Sequence, residues 1–300
     1  MVKRLINTSV ATVWTHFDSA RDIDKEAIGG NPDITKWING LSYEKSLDLC
    51  NSNLVQTQVL FGEEVLVIEE KEGWAHVICH SQPSSKDTRG YPGWIPSAQL
   101  ADSNGFNLEG EIAVVTSKKA ELVLDGEAAL VLCFQTILPV LSQEEDRIKV
   151  QTPEGYGWLS RRDAEIYPNP ASIPKGNGAG IAAAGEQFVG LPYLWGGVSS
   201  FGYDCSGFSY TMAKANGYRI SRDAHDQLED GRAVELDQLQ PGDLLYFAYE
   251  EGKGAVHHVG IYYGDGKLLH SPKTGKSIEI IPLEGTLYKI ELCAARRYGA

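Results

Sequence analysis

The rhythm of apolar and polar positions changes twice along this 300-residue chain. From Thr8 to Trp14 the two kinds of side chain alternate, as on a strand with one buried face. Alternation returns around Val59-Leu-Phe-Gly-Glu63-Glu64-Val-Leu-Val-Ile and Gly73-Trp74-Ala-His-Val-Ile-Cys79, and Tyr91-Pro-Gly-Trp94-Ile-Pro adds a short strand. Between them, at about residues 20–54, the spacing becomes helical in Asp33-Ile-Thr-Lys-Trp37-Ile-Asn and Tyr43-Glu-Lys-Ser-Leu-Asp-Leu. Residues 1–102 therefore read as a small β domain carrying a helical insertion.

Residues 103–167 repeat the strand pattern without the insertion. Lys118-Lys-Ala-Glu-Leu-Val-Leu-Asp125-Gly126 opens it, Leu130–Phe134 and Ile137–Leu141 follow, and Arg147 to Leu159 closes it. The endings Gly-Tyr-Pro-Gly-Trp94 and Gly-Tyr-Gly-Trp158 match, so the chain holds an internal repeat of two small barrels. Residues 168–178 are rich in Pro and Gly and nearly free of large apolar side chains, which marks a linker. From residue 179 the order is helices first (Ile181–Val189, Cys205–Asn216, Arg222–Asp230), then strands near 244–248, 259–263, 267–270, 278–281 and 292–296. That order predicts an α+β domain with an antiparallel sheet.

Composition narrows the function classes. The net charge of −13 argues against nucleic acid and anionic membranes as partners. No apolar run approaches the ~20 residues of a membrane span. The five cysteines (50, 79, 133, 205 and 293) show neither a disulfide framework nor zinc-ligand spacing, which suits a reducing compartment. Lys3 and Arg4 resemble the start of a signal sequence, but Asn7, Thr8 and Ser9 break the apolar run, so the segment reads as a first strand.

Asp204-Cys205-Ser206-Gly207-Phe208 enters an apolar helical segment. A cysteine there meets free N–H groups and the positive end of the helix dipole, which favour a thiolate. By residue type alone a cysteine is most often a small buried hydrophobe; its polar neighbours and Gly207 favour a nucleophile. His258 is the candidate base and His257 its competitor, because alternation along a strand turns only one of them toward Cys205. His270, on the next strand, is placed to pair with the base as the third member of a triad. His225 reads as a helix-surface residue, Asp243 as a turn-bonding one, and Trp195, beside the Gly196-Gly197 turn, as a pocket wall.

Pro192-Tyr193-Leu-Trp-Gly-Gly197, Asp204-Cys-Ser-Gly-Phe208, Pro241-Gly-Asp-Leu244, His258-Val-Gly-Ile-Tyr262 and Leu269-His270-Ser together resemble the NlpC/P60 family of papain-like cysteine peptidases. The resemblance covers about residues 177–300. It implies that Cys205 is the nucleophile, His258 the base and His270 its orienting partner, with no cofactor or metal. Tyr193 would assist the Cys205 N–H in holding the oxyanion. The two barrels are similar to bacterial SH3 domains, and with the insertion they resemble the YkfC-type γ-D-glutamyl-L-diamino acid endopeptidases. The implied partner is a murein tri- or tetrapeptide with a free N-terminal L-Ala, processed by a cytoplasmic monomer in cell-wall peptide recycling. Glu63 and Tyr91 would contact the substrate amine, with Glu64 as the neighbouring alternative. Trp195, Asp204, Ser206 and Asp223 would line the substrate site, and Ala224 stands where a serine is expected. Two other readings stay open: a secreted hydrolase of intact peptidoglycan, and a cell-wall-binding protein with a degenerate catalytic domain.

Overall fold

A computed structural model describes residues 2–103, 105–124 and 129–299; Asp125 and Gly126, the end of the segment that opens the repeat, lie outside them. The chain forms two compact units, Met1–Ser81 with Arg89–Ile173 and Ser199–Phe201, and Gln82–Thr88 with Pro174–Val198 and Gly202–Ala300.

In the first unit, β1 (Val2–Ile6), β2 (Val10–Trp14), β3 (Val55–Leu60), β4 (Glu64–Lys71), β5 (Trp74–Cys79), β6 (Tyr91–Pro96) and β7 (Leu100–Asp102) make one sheet in the order β3-β2-β6-β5-β4-β1-β7. The insertion between β2 and β3 carries α1 (Lys25–Ile28), α2 (Ile34–Gly40) and α3 (Tyr43–Asn51). Asp33 and Ser42 start α2 and α3 by accepting the Lys36 and Lys45 N–H groups. Trp37 of α2 is buried with its ring 6.0 Å from Trp14, and its Nε1 donates to the fully buried Asp24 at 2.8 Å.

The repeat then follows as β8 (Ile112–Val115), β9 (Lys119–Leu124), β10 (Ala129–Cys133), β11 (Ile137–Gln143), β12 (Arg147–Thr152), β13 (Gly155–Ser160) and β14 (Ala164–Tyr167). Its order, β10-β9-β13-β12-β11-β8-β14, is that of the first sheet strand for strand. The sequence pattern missed β8, a four-residue strand buried throughout, where alternation has nothing to show. Each barrel has its own core, centred on Val13, Val59, Val77 and Ile95 in the first and on Leu122, Leu132, Ile148 and Leu159 in the second. Phe61, just past β3, packs into the second core. The glycine before each matched tryptophan has no room for a side chain. A Cβ on Gly93 would lie 2.4 Å from Val13 Cγ1, and one on Gly157 2.7 Å from Leu122 Cδ1.

The second unit begins with α4 (Gly178–Glu186), which starts earlier than apolar spacing indicated because Asn177 caps it through the Gly180 N–H. Then come β15 (Val198–Ser199) and β16 (Gly202–Tyr203), α5 (Cys205–Lys214), α6 (Ala224–Gln227), β17 (Arg232–Ala233), β18 (Leu244–Ala248), α7 (Tyr249–Gly252), β19 (Val256–Gly264), β20 (Lys267–His270), β21 (Glu279–Pro282), α8 (Leu287–Glu291) and β22 (Leu292–Arg297). The sheet order is β17-β22-β18-β19-β20-β21, and every pairing is antiparallel. Helices α4 and α5 pack on β19 and β20. Leu245, Phe247, Leu268 and Ala295 form a core joined by Tyr288 of α8. Two barrels followed by an α+β domain with an antiparallel sheet is the architecture the sequence pattern predicts. Asp243 bonds its turn as anticipated, accepting the Gln240 N–H at 2.7 Å, and also takes a two-pronged ion pair from Arg297.

Candidate active site

Cys205 is the first residue of α5, and Asp204 is its cap, accepting the Gly207 N–H at 2.6 Å. Gly207 is sterically required: a Cβ there would come within 2.1 Å of the Gly197 carbonyl oxygen. The Trp195-Gly-Gly197 turn and the start of α5 are thus pressed together, main chain on main chain. Asp204 is also held by Arg222, whose NH1 and NH2 reach Oδ1 and Oδ2 at 3.1 and 2.7 Å, while NH1 donates to Ser206 Oγ at 2.9 Å. Arg222 is 1% exposed; a buried guanidinium of this kind needs the paired carboxylate it has here. The side chains of Asp204 and Ser206, anticipated as substrate contacts, are engaged in this network. Sequence reasoning missed Arg222, because an arginine in Ser221-Arg-Asp reads as solvent-exposed.

The loop 82–88, which follows β5 of the first barrel, belongs to the second unit and backs this network. Pro83 accepts the Arg222 N–H at 2.9 Å, Ser85 donates its N–H to Asp226, and Lys86 Nζ lies 3.4 Å from Asp223 Oδ2. Asp223 precedes α6, and Ala224 is its first residue. His225 lies on the exposed surface as expected. Among the described residues, Asp223, His225 and Asp226 bring potential ligand atoms within 4.8 Å of one another; both carboxylates already have the partners just given.

The two adjacent histidines lie at a β-bulge. Phe247 pairs with His258 and Ala248 with Val256, so His257 is the extra residue in β19. His257 stacks on Tyr249 with ring centroids 4.1 Å apart and meets Glu291 Oε2 at 3.1 Å. His258 is buried, and its Nε2 lies 2.8 Å from His270 Nδ1. Helix α5 packs on β19, and the N–H of the next residue, Val259, acts on the Cys205 thiol to lower it. The structure therefore sets the His258–His270 pair beside Cys205, while the His257 ring, 6.4 Å from that of His258, is held by Tyr249 and Glu291.

Electrostatics favours neutral groups. Burial first, and the Asp204 charge next, push the half-buried Cys205 thiol up to about 12, against the Val259 and Ser206 N–H groups and Arg222. Burial holds His258 well below the ordinary histidine range, with His270 and His257 adding to it, and brings His270 down to about 4. Either charge alone is disfavoured. A proton passed from sulfur to imidazole creates two opposite charges side by side, and their attraction offsets much of that cost.

Tyr288 is a second residue that sequence reasoning missed. Its ring lies 5.2 Å from His258 and edge-on to His270 at 4.7 Å. Burial, followed by the charges of Glu279 and Cys205, raises its hydroxyl to about 12. Its helix is a single turn, too short for periodicity to announce.

Tyr193 and Trp195 are half-buried in the segment before β15; the Tyr193 N–H donates to Lys276 O. Glu63 and Tyr91 belong to the first unit. Glu63 Oε2 accepts the Leu60 N–H at 3.3 Å and the Ser81 hydroxyl at 3.4 Å. Tyr91 is buried in the first barrel, its hydroxyl 3.5 Å from Gln56 Oε1. Glu64 pairs with Lys3 at 2.9 Å.

Residues 190–297 match the NlpC/P60 family, residues 52–100 the bacterial dipeptidyl-peptidase Sh3 domain, and residues 115–167 the YKFC SH3b2 domain. The chain is 49% identical to the γ-D-glutamyl-L-lysine dipeptidyl-peptidase of Bacillus subtilis over 97% of both chains. It is 39% identical to the protein of the same name from Bacillus cereus, over 99% of this chain and 91% of that one. A crystal structure of an NlpC/P60 family protein from Bacillus cereus superposes with a TM-score of 0.97, at 39% identity and 99% coverage of both chains. Fold and site thus define a thiol hydrolase preceded by two SH3-like barrels. The chain belongs to the NlpC/P60 family of cysteine peptidases.

Proposed function

We propose that this enzyme hydrolyses the γ-D-glutamyl–L-diamino acid bond of murein peptides whose N-terminal L-Ala is free, releasing L-Ala-γ-D-Glu for cell-wall peptide recycling in the cytoplasm. The observation that carries this reading is the 49% identity to a γ-D-glutamyl-L-lysine dipeptidyl-peptidase across both barrels and the catalytic unit. Five free thiols suit a reducing compartment.

Cys205 gives its proton to His258 and attacks the γ-carbonyl carbon. The Cys205 N–H, at the open end of α5, and the Tyr193 hydroxyl hold the oxyanion, each worth roughly 3–4 kcal/mol. The C–N bond breaks as His258 protonates the leaving amine, and water then releases the dipeptide with His258 as base. Glu63 and Tyr91 receive the substrate ammonium. Trp195 and Asp223 line the site. Asp204 and Ser206 shape it from the Arg222 network, and at Ala224 only the main chain is left to bond the D-Glu.

Mass spectrometry of products from L-Ala-γ-D-Glu-L-Lys and its diaminopimelate analogue, free and N-acetylated, tests the reading. The free peptides should yield L-Ala-γ-D-Glu, acetylation should slow turnover at least roughly tenfold, and Cys205→Ala should be inert. Cleavage of intact sacculi with no turnover of the free peptides would overturn it.

A further inference from the structure

The chemistry above assigns one nitrogen of His270 and leaves the other unexplained. Nδ1 meets His258 Nε2, while Nε2 is buried and has no hydrogen-bond partner among the described residues. Glu279 Oε1 lies 3.6 Å from it, just outside hydrogen-bond range. The pairing of β20 with β21 sets His270 directly opposite Glu279. The Glu279 side chain is 43% exposed, with room to close the remaining gap. We propose that Glu279 is a positioning residue that selects the productive tautomer of the His258–His270 pair; the inference rests on His258 acting as the base.

The 2.8 Å contact between the rings holds one proton. To accept from Cys205 through Nδ1, a neutral His258 must carry its proton on Nε2 and donate it to His270 Nδ1. A neutral His270 then carries its own proton on Nε2, the atom that faces Glu279. An ionised carboxylate there favours this arrangement. In the reverse arrangement His270 Nδ1–H donates to His258, whose proton moves to Nδ1 and blocks acceptance from the thiol. No proton travels to Glu279 during turnover; only the Cys205 proton moves, to His258 Nδ1. The other charged and titratable groups facing this pair are Cys205 with Asp204 and Arg222 behind it, Tyr288 and Glu291 on α8, and His257.

Glu279→Leu removes the acceptor and the charge, Glu279→Asp keeps the charge at shorter reach, and Glu284→Gln alters an exposed carboxylate beside Lys289 as a control. In Glu279→Leu, kcat should fall about tenfold, the size of other contacts that orient a functional histidine, with KM little changed. The limb of the pH–rate profile that belongs to the histidine pair should move to lower pH, and Glu279→Asp should restore part of both. Nitrogen-15 spectra of histidine-labelled full-length protein should show the Nε2–H form of His270 in the wild type and a mixture in Glu279→Leu. The rate of Cys205 alkylation by iodoacetamide across pH should fall in parallel. The last two readouts need no substrate, so failed peptide cleavage alone would count against the proposed function and not against Glu279. An unchanged tautomer and alkylation profile in Glu279→Leu would overturn the proposal, as would a loss of kcat that follows thermal stability without a shift in the pH limb.

Discussion

The two barrels share one strand order, yet they differ at the positions to which family resemblance gives a function. The turn between β3 and β4, Phe61-Gly62-Glu63, corresponds to Phe134-Gln135-Thr136 between β10 and β11. Both turns use a left-handed middle residue, Gly62 at φ 76° and Gln135 at φ 66°. The third residue is a glutamate in one barrel and a fully buried threonine in the other. Aligning Gly93-Trp94 with Gly157-Trp158 sets Tyr91 against Gly155. Backbone conformation, the tryptophan and the cramped glycine repeat because the barrel needs them. Glu63 and Tyr91 are not repeated, so making a barrel does not require them.

The largest expected effect tests that division. Glu63→Gln should lower kcat/KM for free-amine peptides roughly 10- to 100-fold, the worth of one charge-assisted contact, and erase discrimination against N-acetylated substrate. Thr136→Val, at the matching position, should leave both within about twofold. Equal losses from the two variants, measured on the same peptide pair, would break the comparison.

The same division runs through the catalytic unit, where His258 and His270 are buried at a cost. Burial lowers both below their unfolded values, His270 to about 4. Between pH ~6.5 and that value the unfolded chain binds protons that the folded chain refuses. Stability is therefore fully present above pH ~6.5 and declines as pH falls, by about 3 kcal/mol for a shift of the size seen at His270. Hydrogen exchange at falling pH should show β19 and β20 losing protection before the barrel strands. Simultaneous loss everywhere would show that the histidines are not what acid attacks.

Much of this was legible in the sequence because certain jobs accept few residue types. The Gly-Trp closes, the helical spacing that begins at Asp33 and at Tyr43, and Asp204-Cys205-Ser206-Gly207 each reflect a local requirement of turn, helix or close approach. What stayed hidden depends on distant pairing. The bulge that makes His257 the extra residue of β19 arises from its register with β18. Arg222 is buried only because Asp204 meets it there, and loop 82–88 joins the catalytic unit through contacts far away in sequence. Tyr288 and Glu279 sit in a stretch whose elements are four and five residues long, below the length at which a period is visible.

A smaller effect compares the barrels at their shared glycine. An alanine at Gly93 would press on Val13 Cγ1 at 2.4 Å and on the Trp14 carbonyl oxygen at 2.8 Å. At Gly157 the nearest atoms are Leu122 Cδ1 at 2.7 Å and Cγ at 3.0 Å, with the Val123 carbonyl oxygen at 3.1 Å. A leucine tip yields more readily than main chain, so Gly93→Ala should cost about 3 kcal/mol and Gly157→Ala nearer 1 kcal/mol. Denaturant midpoints of the two variants measure the difference; a reversed order would mean that the second barrel is the less yielding one.

The smallest effect concerns what the first barrel has and the second lacks. Trp37 anchors the insertion twice, by its ring against Trp14 and by its Nε1–H on Asp24. Arg21 also holds Asp24, through Nε at 2.7 Å and NH2 at 2.9 Å. Trp37→Phe removes one hydrogen bond and part of a ring but leaves that carboxylate paired, so the loss should be about 1 kcal/mol. Arg21→Met should cost more, because it leaves a buried carboxylate without its cation. If both variants melt like the wild type, the insertion is an appendage, and the first barrel closes its core as the second does, without help.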